Sequence, residues 1–212
     1  MAELHPSTHL QAAAWVPDDD PERPWEQAAD LAAAWIWKRS RAEGVAPLLV
    51  TNTQQNGAGI GCLEEIVRRS GRATPQGKQR FDSGPVLAYV PNERTLRFAL
   101  DLARGYSLAV VESTRFPLAE WAAGAEAVNL LDGRTTTSGI PDGVKADLDR
   151  AISFGGRNGW TGPDEKRHAR THLETHVRSG RLDPEQAASY VMSRGVADTG
   201  AKRLRQLLEK LG

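Results

Sequence analysis

The sequence predicts an α/β protein: a three-layer sandwich around a small, mainly parallel sheet, followed by a helical C-terminal region. Two patterns carry that expectation. Three short apolar runs, Pro47–Val50, Pro85–Val90 and Leu108–Val111, alternate with stretches of helical period, and beyond residue 143 the period is helical throughout. Strands that are apolar on both faces belong to a sheet covered on both sides, which is the parallel arrangement.

Residues 1–24 carry Pro6, Pro17, Pro21 and Pro24 with the acidic run Asp18-Asp19-Asp20. Proline removes a donor and fixes φ, so this stretch reads as a loosely ordered N-terminal arm. From Trp25 to Glu43, Ala28, Leu31, Ala32, Trp35 and Ile36 recur at helical spacing, with Gly44 as the stop. After the first apolar run comes a helix from Ile60 to Arg69, ending near Gly71. After the second comes a helix from Asn92 to Arg104, with Leu96, Ala99, Leu100 and Ala103 on one face and Gly105 behind it. The third run leads to a helix from Pro117 to Gly124, with proline in its first turn, and a short fourth strand over Ala127–Leu131.

The segment Asp132–Gly143, with Gly133, Thr135-Thr136-Thr137, Gly139, Pro141 and Gly143, has the composition of a loop and marks the boundary. The expected division is therefore an arm over 1–24, a Rossmann-like α/β domain over 25–135 and a helical region over 136–212. That last region reads as four helices: Val144–Ile152, Asp164–Arg178, Asp183–Ser193 and Asp198–Leu211. Asp183-Pro184-Glu185 supplies N-cap, first-turn proline and early acid in the favoured order.

Composition narrows the function classes. Lys plus Arg and Asp plus Glu each number 27, and the mean hydropathy is −0.48. Zero net charge removes any overall electrostatic argument for nucleic acid. No run approaches the ~20 apolar residues of a membrane span, and the N-terminus lacks the basic-then-apolar order of a signal peptide, so a cytoplasmic protein without a membrane partner is expected. The single cysteine, Cys62, excludes an internal disulfide and a Cys-rich zinc cage. It reads as a small buried residue.

The segment from Val50 to Cys62 runs from a strand through a Gly-rich loop into a helix, with Asn52, Asn56, Gly57, Gly59 and Gly61 along it. Glycines let backbone approach an anion, and the amides of a helix start favour phosphate. The spacing GxGxG matches neither the dinucleotide fingerprint nor the P-loop. In a parallel sheet, ligands bind beyond the carboxyl ends of the strands. There the sequence puts Asn52, Thr53 and Asn56, then Asn92 and Glu93, then Glu112 and Ser113, and finally Asp132. Glu112 closes the apolar run Leu-Ala-Val-Val-Glu and is the candidate catalytic carboxylate. Arg157 and Trp160, in the Gly-rich stretch Phe154–Trp160, are candidates to cover a planar ligand, against a reading of Phe154 and Trp160 as loop anchors.

Two further patterns carry alternatives. His168, His172 and His176 fall on one side of a helix at i, i+4 and i+8, the geometry of shared metal ligation by a metal-dependent hydrolase, yet they also flank the apolar stripe Ala169, Leu173 and Val177. The order helix, Gly195 turn, basic helix with Lys202, Arg203 and Arg205 is the outline of a helix-turn-helix reading nucleic acid, or of a protein-interaction module. Leu204, Leu207, Leu208 and Leu211 explain the same helix as a packing element.

Val50–Gly71 and Ala99–Leu118 resemble segments of macro domains. That resemblance implies an ADP-ribose ligand with Asn52 and Gly57–Gly61 against ribose and diphosphate and Ser113–Phe116 closing over them. The paired opening strands of that family are absent, and Glu112-Ser113-Thr114-Arg115 stands where its Gly-containing loop is expected. Gly84–Val90 and Leu108–Val111 are similar to strands of the second RecA-like domain of helicases, a likeness of fold alone. The expected function is the binding of a nucleotide or nucleotide-derived phosphate at the Gly-rich loop. The sequence names no cofactor and leaves the reaction and the oligomeric state open.

Overall fold

A computed structural model describes residues 10–212. Residues 1–9, the first part of the expected arm, lie outside the described residues. The elements in order are β1 (Ala12–Val16), α1 (Trp25–Glu43), β2 (Leu48–Thr51), α2 (Gly61–Ser70), β3 (Arg72–Ala73), β4 (Val86–Tyr89), α3 (Glu93–Leu102), β5 (Ser107–Val111), α4 (Ala119–Gly124), β6 (Val128–Asn129), α5 (Asp142–Gly155), a 3-10 turn (Gly156–Asn158), α6 (Pro163–Arg178), α7 (Pro184–Ser193) and α8 (Asp198–Glu209). The chain divides into two compact units, one of residues up to 122 with 127–136, the other of residues 123–126 with 137–212.

The first unit is built on a six-stranded sheet of order β3-β2-β4-β5-β1-β6, every named pairing parallel. The three expected strands are β2, β4 and β5, and the expected short fourth is β6. One expectation is corrected: the arm of residues 1–24 contains β1, which lies inside the sheet between β5 and β6. Its register, Ala12 opposite Ser107 through Val16 opposite Val111, carries it along the whole of β5. Packing explains how an alanine-rich strand of low intrinsic β-propensity is held there. Ala28, Ala29, Ala32 and Ala33 of α1 share one core cluster with Val16, Ala109 and Val111, small residues on both sides of one helix-sheet layer.

Alternation along the strands assigns the two faces. Leu49, Leu87, Tyr89, Ala109, Val111 and Val16 pack with α1 and with Leu63 and Ile66 of α2. The intervening residues Val50, Val86, Ala88, Leu108 and Val110 are buried on the other face, against which α3 packs. Both layers are needed because the central strands have no polar side.

The second unit is helical. Val144, Leu148 and Ala151 of α5, Ala169 and Leu173 of α6, Ala187, Tyr190 and Val191 of α7, and Leu204, Leu207 and Leu208 of α8 form its core together with Trp160. Asp183 caps α7, accepting from the amides of Glu185 at 2.8 Å and Gln186 at 3.3 Å, as the sequence signature expects. No helix among the described residues is long and apolar enough to cross a membrane.

Candidate functional site

The strand order creates one topological switch point at the carboxyl edge of the sheet, between β2 and β4. The chain leaves β2 towards the β3 edge and leaves β4 in the opposite direction, towards β5. The connections from β1 towards β2 and from β5 towards β6 also run in opposite directions, but they cross over the β5/β1 pair and close it. Crevices between strands whose connections diverge are where ligands bind in open parallel sheets. The β2/β4 crevice is flanked by the Gly-rich loop; the closed β5/β1 pair is flanked by Glu112.

At the β2/β4 crevice Asn52 uses both ends of its amide. Its Nδ2 donates to the carbonyl of Val90 at 2.8 Å, and its Oδ1 accepts from the backbone amide of Asn92 at 3.0 Å. Asn92 in turn caps α3, accepting from Thr95 N at 2.9 Å. Val90 is held at φ +42°, an outlier for a β-branched residue, and its amide donates to Val111 O at 3.0 Å. A backbone of this kind costs ~1–3 kcal/mol and persists where its surroundings overdetermine it.

The loop itself is a succession of tight turns, with amides of Asn56, Ala58 and Ile60 donating to the carbonyls of Thr53, Gln55 and Gly57. Asn56 turns inward, its Oδ1 accepting from Thr53 N at 3.0 Å and Thr53 Oγ1 at 2.7 Å. Gly57 is demanded twice, by φ +74° and by space: a Cβ there would stand 2.6 Å from Leu63 Cδ1 and 3.2 Å from the Tyr89 ring. Gly59, at φ +84°, and Gly61 face open space. The amide of Gly59 donates to Glu64 Oε1 at 2.9 Å, so an acidic side chain from α2 already occupies one of the loop's donors. The Arg72 guanidinium donates to the carbonyl of Gln54, while its buried Nε finds no acceptor among the described residues. Burial lowers the Arg72 pKa and neighbouring Glu64 opposes that shift.

At the end of the β5/β1 pair Glu112 is 8% exposed. Its Oε2 accepts from the amide of Asp18 at 2.8 Å, its Oε1 accepts from the amide of Leu118, and Asp18 Oδ2 accepts from Thr114 N at 2.8 Å. Arg23 ties the same loop by donating to Pro17 O at 2.7 Å. The remaining cavity, about 10 Å³, is the size of one water. Glu112 is thus a bracket joining the loops after β1 and β5, and the catalytic role expected of it is not carried forward.

Trp160 is corrected outright as a covering residue. It is 1% exposed and fills the core of the helical unit, while Phe154 of the same stretch is 54% exposed, so of the two expected anchors only Trp160 is one. Arg157 is exposed on the 3-10 turn of that unit. Lys202 pairs with Asp198 at 2.7 Å, Arg205 with Glu185 at 2.7 Å and Glu209 at 3.4 Å, and Arg203 donates to Gly159 O at 3.5 Å. These basic groups are engaged within their own unit. Asp132 accepts from Arg134 N at 2.9 Å in a turn, as its composition suggests.

The histidine row gathers around Asp147 of α5. His176 Nε2 lies 2.8 Å from Asp147 Oδ2 and His172 Nδ1 lies 3.8 Å from Oδ1, while His168 stacks on Phe154 with centroids 4.4 Å apart. Among the described residues no group of three or more His, Cys, Asp or Glu side chains is arranged to hold a metal. The His176 hydrogen bond, first among several causes, holds the Asp147 carboxyl below its usual range. Burial and the charge of His172 lower the His168 pKa.

A histidine with a depressed folded pKa contributes stability that is full above its unfolded pKa of ~6.5 and is lost as pH falls through the folded value. The melting temperature of the wild type is therefore expected to fall on acidification below about pH 6.5, and His168→Gln to flatten that limb in a pH series. An unchanged slope in the variant would assign the effect to other groups.

Cys62 has its thiol pushed up to about 12, first by burial and then by Asp30, which removes a nucleophile from the start of α2. Sequence reasoning missed four residues of this edge: Trp25, Arg72, Tyr89 and Val90. Arg72 belongs to a two-residue strand with no pattern of its own, and Tyr89 and Val90 close a run that reads only as a buried strand; for Trp25 the signal is a large aromatic directly after Pro24 at a helix start.

Comparison of the chain with protein-family models, curated proteins and solved structures finds no match. Neither the macro-domain likeness nor the RecA-like one is carried by these comparisons.

Proposed function

We propose that the α/β unit binds a nucleotide or nucleotide-derived phosphate ligand at the carboxyl edge of its sheet, over the loop from Asn52 to Gly61. The observation that carries this reading is the coincidence of a Gly-rich strand-to-helix loop with the β2/β4 switch point. Gly61 and its neighbours begin α2, where amides and helix dipole favour an anion. Arg72 adds a cation beneath the loop with one donor unmatched. Asn52 and Asn92 hold the two rims together, so the crevice is preorganised before a ligand arrives. With Cys62 protonated and Glu112 committed to two backbone amides, the residues of this edge support binding rather than covalent catalysis.

A thermal-shift screen with ADP-ribose, NAD, ATP, GTP and their monophosphates tests this. A ligand at 100 times its Kd adds ~2.7 kcal/mol, which for a chain of this size moves the melting temperature by about 5–10 °C. Gly61→Asp is the matched variant, because a side chain at Gly61 meets nothing within 4 Å and its φ lies outside the left-handed region. It is expected to melt as the wild type does without ligand and to lose the shift. No shift with any of these compounds, or a shift untouched by Gly61→Asp, would overturn the reading.

A further inference from the structure

Trp25 is a large apolar side chain left 42% exposed at the carboxyl edge of the sheet. Its position on α1 explains where it points. The buried stripe of that helix runs through Ala28, Ala29, Ala32, Ala33 and Ile36, and Trp25 lies three and four residues before its start, so it extends the stripe by one turn. The stripe covers the sheet; the extra turn carries the indole to Tyr89, the last residue of β4, in an edge-to-face contact with centroids 6.4 Å apart and planes at 78°. Tyr89 is itself the ring against which Gly57 closes, since a Cβ on Gly57 would stand 3.2 Å from it. Indole, phenol ring and Gly-rich loop therefore form one continuous row, with the phenol buried and the indole open.

The charges along this row are graded. Beside the loop Arg72 is offset by Glu64, whereas Trp25 is flanked in sequence by Asp18, Asp19, Asp20, Glu22 and Glu26 against the single cation Arg23, which pairs with Asp19 at 2.8 Å; Glu26 is close enough to raise the Tyr89 pKa, which burial first pushes up to about 12. A phosphate is favoured at the loop end of the row and disfavoured at the indole end. A planar ring bearing N–H donors is suited to the indole end, by stacking and by the carboxylates of Asp18 and Glu26 nearby.

Resting on the nucleotide-binding reading, we propose that Trp25 is the stacking platform for the heteroaromatic ring of the ligand, so that the site selects a nucleoside-type phosphate over a sugar phosphate or an inorganic one. Trp25 touches the ring and Gly61 with its neighbours the phosphate, with Tyr89 as the wall between them.

The experiment is calorimetric titration of wild type, Trp25→Ala, Trp25→Phe and Gly61→Asp with AMP, ribose 5-phosphate and inorganic pyrophosphate. Removal of an aromatic that stacks on a base typically costs about 5- to 150-fold in affinity. Trp25→Ala is expected to weaken AMP by that factor and to leave ribose 5-phosphate and pyrophosphate unchanged, with Trp25→Phe recovering most of the AMP affinity. AMP should also quench tryptophan fluorescence in the wild type and not in Trp25→Phe. If AMP binds, is abolished by Gly61→Asp and is indifferent to Trp25→Ala, the stacking proposal falls and the phosphate site stands. Equal weakening of ringless and ring-bearing ligands by Trp25→Ala overturns it as well, since that is the mark of a merely structural residue. If the wild type binds none of these three compounds and none of the nucleotides of the thermal-shift screen, both readings fall.

Discussion

Glu112→Ala should destabilise the α/β unit by about 2–5 kcal/mol, because two backbone donors near the end of the sheet lose their shared acceptor. The amides of Asp18 and Leu118 belong to loops that leave β1 and β5 in opposite directions, and the carboxylate between them is the group they have in common. Leaving a buried amide unsatisfied costs ~1–3 kcal/mol, more than a typical hydrogen bond contributes when made. Glu112→Gln is expected to fall between wild type and alanine, since one oxygen remains an acceptor while the new NH2 faces a donor. Urea unfolding gives the free energies, and hydrogen exchange at Asp18 and Leu118 reports the two amides individually, both of which should lose protection. A carboxylate held for catalysis behaves in the opposite way, its removal leaving stability unchanged or raised. A Glu112→Ala protein as stable as the wild type would return this residue to the list of candidate catalytic groups.

Trp160→Ala should cost the helical unit ~3–5 kcal/mol, the range for deleting a fully buried large aromatic. The indole packs among residues of all four helices of that unit's core cluster. Gly155 has no side chain where one would stand 2.6 Å from Trp160 Cδ1, so the neighbouring sequence is shaped around the ring. The backbone adds a second check. Trp160 is held at φ +51°, a conformation that costs a non-glycine residue ~1–2 kcal/mol, so Trp160→Gly is expected to be no less stable than Trp160→Ala despite removing one more carbon. Thermal unfolding of the three proteins decides this, and ligand titration of Trp160→Ala should show affinity unchanged. A stable Trp160→Ala protein with weakened ligand binding would restore the role of a cover.

Much of the fold was legible because periodicity is a local property. The helix from Trp25 to Glu43 was bounded by Pro24 and Gly44, and α2, α3, α6, α7 and α8 were each marked by a face of apolar residues and a cap or stop. The runs before Thr51, Val90 and Glu112 were readable as strands because a sheet covered on both faces leaves no polar side to interrupt them. The Gly-rich loop and Asn52 were readable for the same reason, being turn chemistry next to a recognisable strand.

What escaped depended on partners distant along the chain. Ala12–Val16 has little β-propensity of its own and is a strand because β5 pairs along its length and the alanines of α1 lie over it. Arg72–Ala73 is too short for any pattern and is a strand only because β2 offers it an edge. Glu112 and Trp160 stand out in the sequence by residue type and position, but their surroundings do not, since residue type does not reveal whether a carboxylate meets solvent or two backbone amides, or whether an indole covers a ligand or fills a helical core.

Local sequence determined the elements and the chemistry of the Gly-rich loop, because turns, caps and amphipathic faces are decided within a few residues. The order of the strands, and with it the β2/β4 crevice and the alignment of Trp25, Tyr89 and Gly57, was decided by tertiary structure, because a parallel sheet joins strands through crossovers whose direction no single segment encodes.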